Sequence, residues 1–347
     1  MSCIVLTHLG PSIPSYIKEC CHQIRLWNPH SFPIYLLLEG NYHLHSPFFL
    51  TLQNTYDVTL VYTEGLKPTE DHLKFHTYLK ENQDKWDPKF RNGYWRFVKE
   101  RFYFLEELMR AKELKNIISM EYDILVYADI RQNLFNKFQT SHQTLRVVKD
   151  NEVRAHPGFM YIPTAEVLEH FNAYLVTTLD NKWDDMKTLE QYGATYPTRL
   201  NFLPCITEKR NQTVKPRKSL NGTHSVEDPW FLSQDSEHFG FLFDSAVVGQ
   251  AVGGVDPRNS EGKKITQYAN ESALYNIMET QGTGWAQSKD TNKSKSKCKK
   301  WFFVMDNRPV VTIHMHSKAL KQFLSDREDM PKADYDVEEL MKTLEKN

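Results

Sequence analysis

Between Cys3 and Met120, short apolar runs alternate with segments of helical spacing, and that rhythm restricts the fold more than any other feature of the chain. Cys3 to Thr7, Pro33 to Leu38 and Val58 to Tyr62 read as buried strands. Pro11 to Trp27 carries Ile17, Cys21 and Ile24 at helix-compatible intervals. Further on, Val98, Phe102, Leu105 and Met109 fall at spacings of four, three and four, with Phe104 and Leu108 widening the stripe. Lys112 and Lys115 place cations near the end of that helix. Asn116 to Met120 resumes as a strand. Strands alternating with helices in this way predict an α/β fold with a mostly parallel sheet and helices on its faces.

The rest of the chain is less regular. Phe159 to Ile162, Phe239 to Phe243 and Val310 to His314 read as strands, and Thr164 to Leu179 and Tyr268 to Glu279 as helices. Thr69 to Arg91 is polar and reads as an excursion over the surface. The polar stretch 180–235, with its basic run Lys209, Arg210, Lys215, Arg217 and Lys218, reads as an insertion with a solvated loop. Residues 331–347 read as an acidic helical tail. The expected organisation is one domain over 1–330, with that tail as an extension.

A formal net charge of -1 demands neither nucleic acid nor a membrane surface as partner. No run approaches the roughly 18 apolar residues of a membrane span. The five cysteines lack metal-type pair spacing, because Cys20 and Cys21 are adjacent. Free thiols in a reducing compartment fit best, and no charged leader precedes an apolar core. A cytoplasmic location is expected.

The chemistry-bearing feature is Glu121-Tyr122-Asp123, directly after the strand that ends at Met120. Residues two apart in extended backbone point the same way, so the two carboxylates converge at the carboxyl end of a sheet strand. Open α/β sheets bind ligands there. Paired carboxylates repel unless a cation lies between them. A divalent ion such as Mn²⁺ or Mg²⁺ suits such oxygen ligands and bridges to phosphates. Asp129 nearby suits an N-cap better than this cluster.

Two later segments add candidates. Along Val310 to His316, Thr312, His314 and His316 share one strand face, and Lys318 follows. Imidazole completes the coordination of a borderline metal, and lysine neutralises a diphosphate. The alternative is one histidine bonded in the core, one exposed, and Lys318 at a helix cap. Between Phe243 and Asn259, Gly249, Gly253 and Gly254 permit close backbone approach. Asp244 opens that segment, either as a general base or acceptor-hydroxyl ligand, or as the cap of a helix over Ser245 to Gln250.

Met120 to Asp129, Phe243 to Asn259 and Ile313 to Phe323 together resemble segments of GT-A glycosyltransferases, in the E-x-D form found in transferases of bacteria and large DNA viruses. The resemblance implies a Rossmann-like, mostly parallel mixed sheet flanked by helices, with residues 1–130 holding the nucleotide and 131–330 the acceptor. It implies that Asp123 binds the metal directly and Glu121 assists, that a late histidine, His314 or His316, completes the metal site, and that Lys318 meets the leaving diphosphate. Thr7 and His8 after the first strand, and Glu39 after the second, stand where that fold contacts base and ribose. Trp95, Arg96, Arg101 and Phe102 resemble the helix before the acidic pair. The implied activity is metal-dependent transfer from a nucleotide diphosphate sugar to a glycan or glycoprotein hydroxyl. A binding module without turnover and a metal-dependent phosphate-ester hydrolase use the same residues as alternatives.

Overall fold

The computed structural model describes residues 1–40, 42, 46–82, 90, 93–138, 144–212, 214, 217–218, 225–226, 229–256, 258, 273–275, 277, 283–288 and 300–328. The expected tail 331–347, most of the expected helix Tyr268 to Glu279, and Cys298 lie outside the described residues.

The first half follows the expected alternation. Strands β1 (Cys3–His8), β2 (Ile34–Leu38), β3 (Val58–Tyr62) and β4 (Ile117–Met120) are interleaved with helices α1 (Ile17–Trp27), α2 (Pro47–Tyr56), α3 (Glu70–Glu81) and α4 (Tyr94–Ala111). The short strand β5 (Ile124–Val126) and the helices α5 (Ile130–Asn133) and α6 (Phe135–Phe138) come next. They lead to β6 (Leu145–Asn151), β7 (Arg154–Ile162), α7 (Ala165–Thr177), α8 (Asp185–Thr195) and β8 (Leu200–Phe202). After α9 (Glu208–Asn211), a two-stranded ribbon pairs β9 (Arg217–Lys218) with β10 (Ser225–Val226). The remaining elements are α10 (Ser236–Phe239), β11 (Leu242–Phe243), α11 (Val247–Gly253), β12 (Gly284–Ser288), β13 (Lys300–Met305) and β14 (Arg308–His314).

The main sheet has seven strands in the order β3-β2-β1-β4-β7-β6-β8. Its members run parallel except β7, which is antiparallel to both β4 and β6. Strands β2 and β4 are buried at every position, as continuous apolar runs in a sheet covered on both faces require. A second sheet joins β11, β14, β13 and β12, and β5 pairs antiparallel with β14. This mostly antiparallel sheet was not visible in the sequence rhythm. One cluster of buried apolar side chains runs from Cys3 to Leu320 and fills the space between these elements. Cys3, Cys20, Cys21 and Cys205 are buried free thiols. No described helix is long and apolar enough to cross a membrane.

Three expectations need correction or refinement. The polar stretch after Thr69 lies largely at the surface, as expected, but it opens with a helix, α3, whose Thr69 cap accepts from the His72 amide and which buries His72 and Phe75. Phe239 to Phe243 is a strand only at Leu242–Phe243, since Ser236–Phe239 is helical and Gly240 turns the chain in the left-handed region. The strand expected at Phe159 begins earlier, at Arg154.

Helix α11 lies very close to the end of β14. A Cβ on Gly249 would come within 1.9 Å of the His314 carbonyl oxygen, a backbone atom that cannot swing away. Gly253 faces only side chains, the nearest being Ser317 at 3.3 Å. Gly249→Ala is therefore expected to lower unfolding stability by about 3 kcal/mol, the upper end for overpacking. Gly253→Ala should change it by less than about 1 kcal/mol, because alanine's better helix propensity offsets the contact. Urea unfolding of the two variants checks this, and equal losses would contradict it.

Candidate active site

The site forms where the chain crosses from one sheet to the other. β4 ends at Met120 in the main sheet, and β5 begins at Ile124 in the second. Only Glu121, Tyr122 and Asp123 make the crossing. Backbone bonds fix both ends: the Glu121 amide donates to the Gly158 carbonyl at 2.8 Å, and the Met315 amide donates to the Asp123 carbonyl at 2.8 Å. That second bond brings the end of β14, and with it His314, against the acidic pair.

Glu121, Asp123 and His314 offer ligand atoms that all lie within 4.8 Å of one another. His314 Nε2 is 3.1 Å from Asp123 Oδ2 and 3.7 Å from Glu121 Oε2. Asp123 is only 5% exposed. The Lys318 ammonium pairs with its Oδ2, and Lys318 itself sits in the left-handed region with φ 63. Burial works against the charge on Asp123, but His314 and Lys318 outweigh it and hold the carboxyl well below the usual carboxylate range. Burial opposes the charge on Glu121 too. Arg101 overrides it and keeps that carboxyl below its usual value. Burial disfavours the His314 imidazolium, yet Asp123 raises its pKa.

The donor set, two carboxylates and an imidazole, suits a divalent ion. Asp123 Oδ1 is buried with no hydrogen-bond partner, the kind of orphan atom a ligand satisfies. Across from it, β7 carries Gly158, whose missing side chain leaves space beside Ile124, Glu121 Oε2 and His314 Nδ1. The residues therefore fit a metal on their own geometry.

The two candidate histidines part company. His314 belongs to the acidic cluster. His316 instead accepts the Asp256 amide on Nδ1 at 3.1 Å, and burial with the nearby His314 and Lys318 charges pulls its pKa down to about 4. It is a neutral bracket for the glycine loop. Asp244 is 2% exposed, and its carboxylate accepts three backbone amides: Val248 at 2.8 Å and Gly249 and His314 at 2.9 Å. That is the capping geometry weighed as the alternative to a base, extended across to β14. Gly253 packs against Ser317 and Met315, and Gly254 takes φ 80 with ψ -170, which favours glycine.

The remaining candidates flank the cluster. β1 lies beside β4, with Leu6 paired to Met120, so Thr7 and His8 stand next to the acidic turn. His8 Nδ1 meets the Tyr122 hydroxyl at 3.1 Å, and burial lowers its pKa to about 4. Thr7 Oγ1 and His8 Nε2 are buried without partners. Glu39, at the end of β2, is ion-paired with Arg96. Arg101 holds Glu121 Oε1 at 2.7 Å and also pairs with Asp185. Asp129 caps α5 by accepting from the Gln132 amide.

Sequence reasoning missed Asp185, His156 and Gly158. Asp185 is buried at the start of α8, inside the supposed insertion, and burial raises its pKa to about 6. His156 sits edge-on to His314 with ring centroids 5.7 Å apart. The signal for this wall was a glycine inside a strand, which marks close approach.

The chain is similar to solved glycosyltransferases. Apo mouse xyloside xylosyltransferase 1 overlaps with a TM-score of 0.41 and 12% identity, over 59% of this chain and 86% of that one. The bifunctional glycosyltransferase WbbM gives 0.37 and 14%, over 58% and 38%. The galactosyltransferase LgtC, solved with donor and acceptor sugar analogs, gives 0.35 and 9%, over 59% and 73%. No family model and no curated protein matches the sequence.

Arg101 is the cation between Glu121 and Asp185, and removing one partner of a buried pair costs about 3–5 kcal/mol. Arg101→Met is expected to lose about 3 kcal/mol in urea unfolding, since Glu121 is partly exposed. Added Mn²⁺ should recover part of the loss. A loss below about 1 kcal/mol would contradict this role.

Proposed function

We propose that this chain is a metal-dependent glycosyltransferase that moves a sugar from a nucleotide diphosphate sugar to a glycan or glycoprotein hydroxyl. The observation that carries the reading is the meeting of Glu121, Asp123 and His314 at the carboxyl end of a parallel strand, with the Lys318 ammonium beside them. Glu121, Asp123 and His314 would hold Mn²⁺ or Mg²⁺, and such an ion supplies electrostatic stabilisation of a departing diphosphate. Lys318 adds a point charge on the same side. Arg101 keeps Glu121 ionised and oriented. Thr7 Oγ1 and His8 Nε2, unpartnered and adjacent to the acidic turn, offer hydrogen bonds to the nucleotide.

Asp244 has a positioning role in this reading. A general base needs to reach the acceptor hydroxyl. Asp244 is 2% exposed, and its two oxygens are turned to three backbone amides, one of them from His314. Glycine-loop residues Gly253 and Gly254 set the turn that brings Asp256 to His316, and so act on the site through the backbone.

The test is turnover of a panel of nucleotide sugars with Mn²⁺ and glycan acceptors. The expected result is acceptor-dependent consumption that falls at least about 100-fold in Asp123→Ala with circular dichroism unchanged, because the charge stabilisation lost is worth several kcal/mol. Near-normal metal-dependent turnover in Asp123→Ala would overturn the assignment. Binding without turnover would instead indicate a nucleotide-sugar module, and release of phosphate from simple esters a hydrolase.

A further inference from the structure

A second group of metal-type donors lies away from the acidic turn, between α3 and α4. His72 and His76 are one helical turn apart on α3, so their rings share a face. Both point at Glu100 of α4. His76 Nε2 is 3.1 Å from Glu100 Oε1, and His72 Nε2 is 3.4 Å from the same oxygen. The three donor atoms lie within 4.8 Å of one another. A tetrahedral zinc ion at about 2.0–2.1 Å from its ligands sets them roughly 3.3 Å apart. The observed separations from Glu100 match that edge.

The surroundings favour the same ligand. His72 Nδ1 meets Glu107 Oε1 at 2.7 Å, the carboxylate–histidine arrangement that fixes the tautomer and leaves Nε2 for a metal. Two imidazole nitrogens then face one carboxylate oxygen, and with the rings stacked at 4.5 Å both cannot comfortably carry charge. The other Glu100 oxygen lies 2.6 Å from Arg96 Nε, and Arg96 also pairs with Glu39. Burial disfavours the His72 imidazolium, but Glu100 and Glu107 raise its pKa to about 9, so a metal must displace that proton. Once it is gone, three carboxylates (Glu39, Glu100, Glu107) stand against one cation, Arg96, and the cluster carries excess negative charge. His72 and Glu100 are buried, while the His76 side chain is 46% exposed and gives an entry path and room for water.

We infer that His72, His76 and Glu100 form a second divalent-cation site of the zinc class, with Glu107 orienting His72. The ion would staple α3 to α4, the helix that also carries Arg96 and Arg101. None of its residues belongs to the acidic turn, so it stands or falls independently of the transferase reading.

The experiment uses the full chain in an Asp123→Ala/His314→Ala background, which silences the first cluster. After stripping with a chelator, ZnCl₂ is titrated in competition with a chromogenic chelator. One equivalent should bind. Glu107→Gln should weaken binding about 10- to 100-fold, as loss of a partner behind a ligand does. His76→Ala should weaken it at least as much, with circular dichroism retained because His76 lies at the surface. His76→Gln, which keeps the size of the side chain, serves if the alanine variant does not fold. Cobalt in place of zinc should give tetrahedral visible bands that vanish in the His76 variant. No zinc uptake in the background protein, or unchanged affinity in the His76 variants, would overturn the proposal and leave a proton-bridged ion cluster.

Discussion

The structure turns on the bond between the Asp123 carbonyl and the Met315 amide. It links residues far apart in sequence, and it occurs where the chain passes from the main sheet to the second in three residues. The register of β5 on β14 carries it further, with Ile124 opposite His314 and Val126 opposite Thr312. The crossing is a tight turn, closed by the Ile124 amide donating to the Glu121 carbonyl at 3.2 Å. Its carboxylates are therefore held at the sheet junction whatever the solvent does. His314 arrives from the other sheet, and its backbone amide is held by Asp244. Preorganisation here is a backbone property first and a side-chain property second.

That geometry concentrates negative charge, and the neighbouring helix answers it. Arg96 of α4 meets Glu39 and Glu100, and Arg101, about 140° further round the same helix, meets Glu121 and Asp185. Buried carboxylates without such partners would take up protons instead of staying charged. The helix forms for a separate reason: its apolar stripe packs on the core, with Phe102 edge-on to Phe171 at 4.9 Å. The same helix thus packs the core and supplies the cations that balance these carboxylates.

Much of this was legible. Uniform apolar runs gave β1 to β4, and the spacing of Val98, Phe102, Leu105 and Met109 gave α4, because burial on a sheet face or helix stripe writes a period into the sequence. The pairing of Glu121 with Asp123 was expected from extended-strand geometry, but β4 ends at Met120 and a hydrogen-bonded turn brings the two together. The choice between His314 and His316 did not follow from strand geometry, since alternation places both on one face and only the bend after β14 separates them. Asp185 and Gly158 were unreadable for a related cause: their roles depend on contacts with residues distant in sequence. The helix over Glu70–Glu81 was not evident because only His72 and Phe75 turn inward, and His72 is a polar group satisfied by Glu100 and Glu107, so the stretch carries little apolar period.

Drawing ligands from both sheets has an energetic consequence. Glu121 and Asp123 belong to the crossing between sheets, His314 to β14, and Lys318 to the turn beyond it. In the proposed reading, a cation held by the three ligands would add to the Lys318–Asp123 pair and the backbone hydrogen bonds that already join these elements. Anything that binds the folded chain and not the unfolded one stabilises it by mass action. Occupancy of the site and integrity of the sheet junction are therefore one equilibrium: a variant that loosens the junction weakens the ligand, and a bound ligand stiffens the junction.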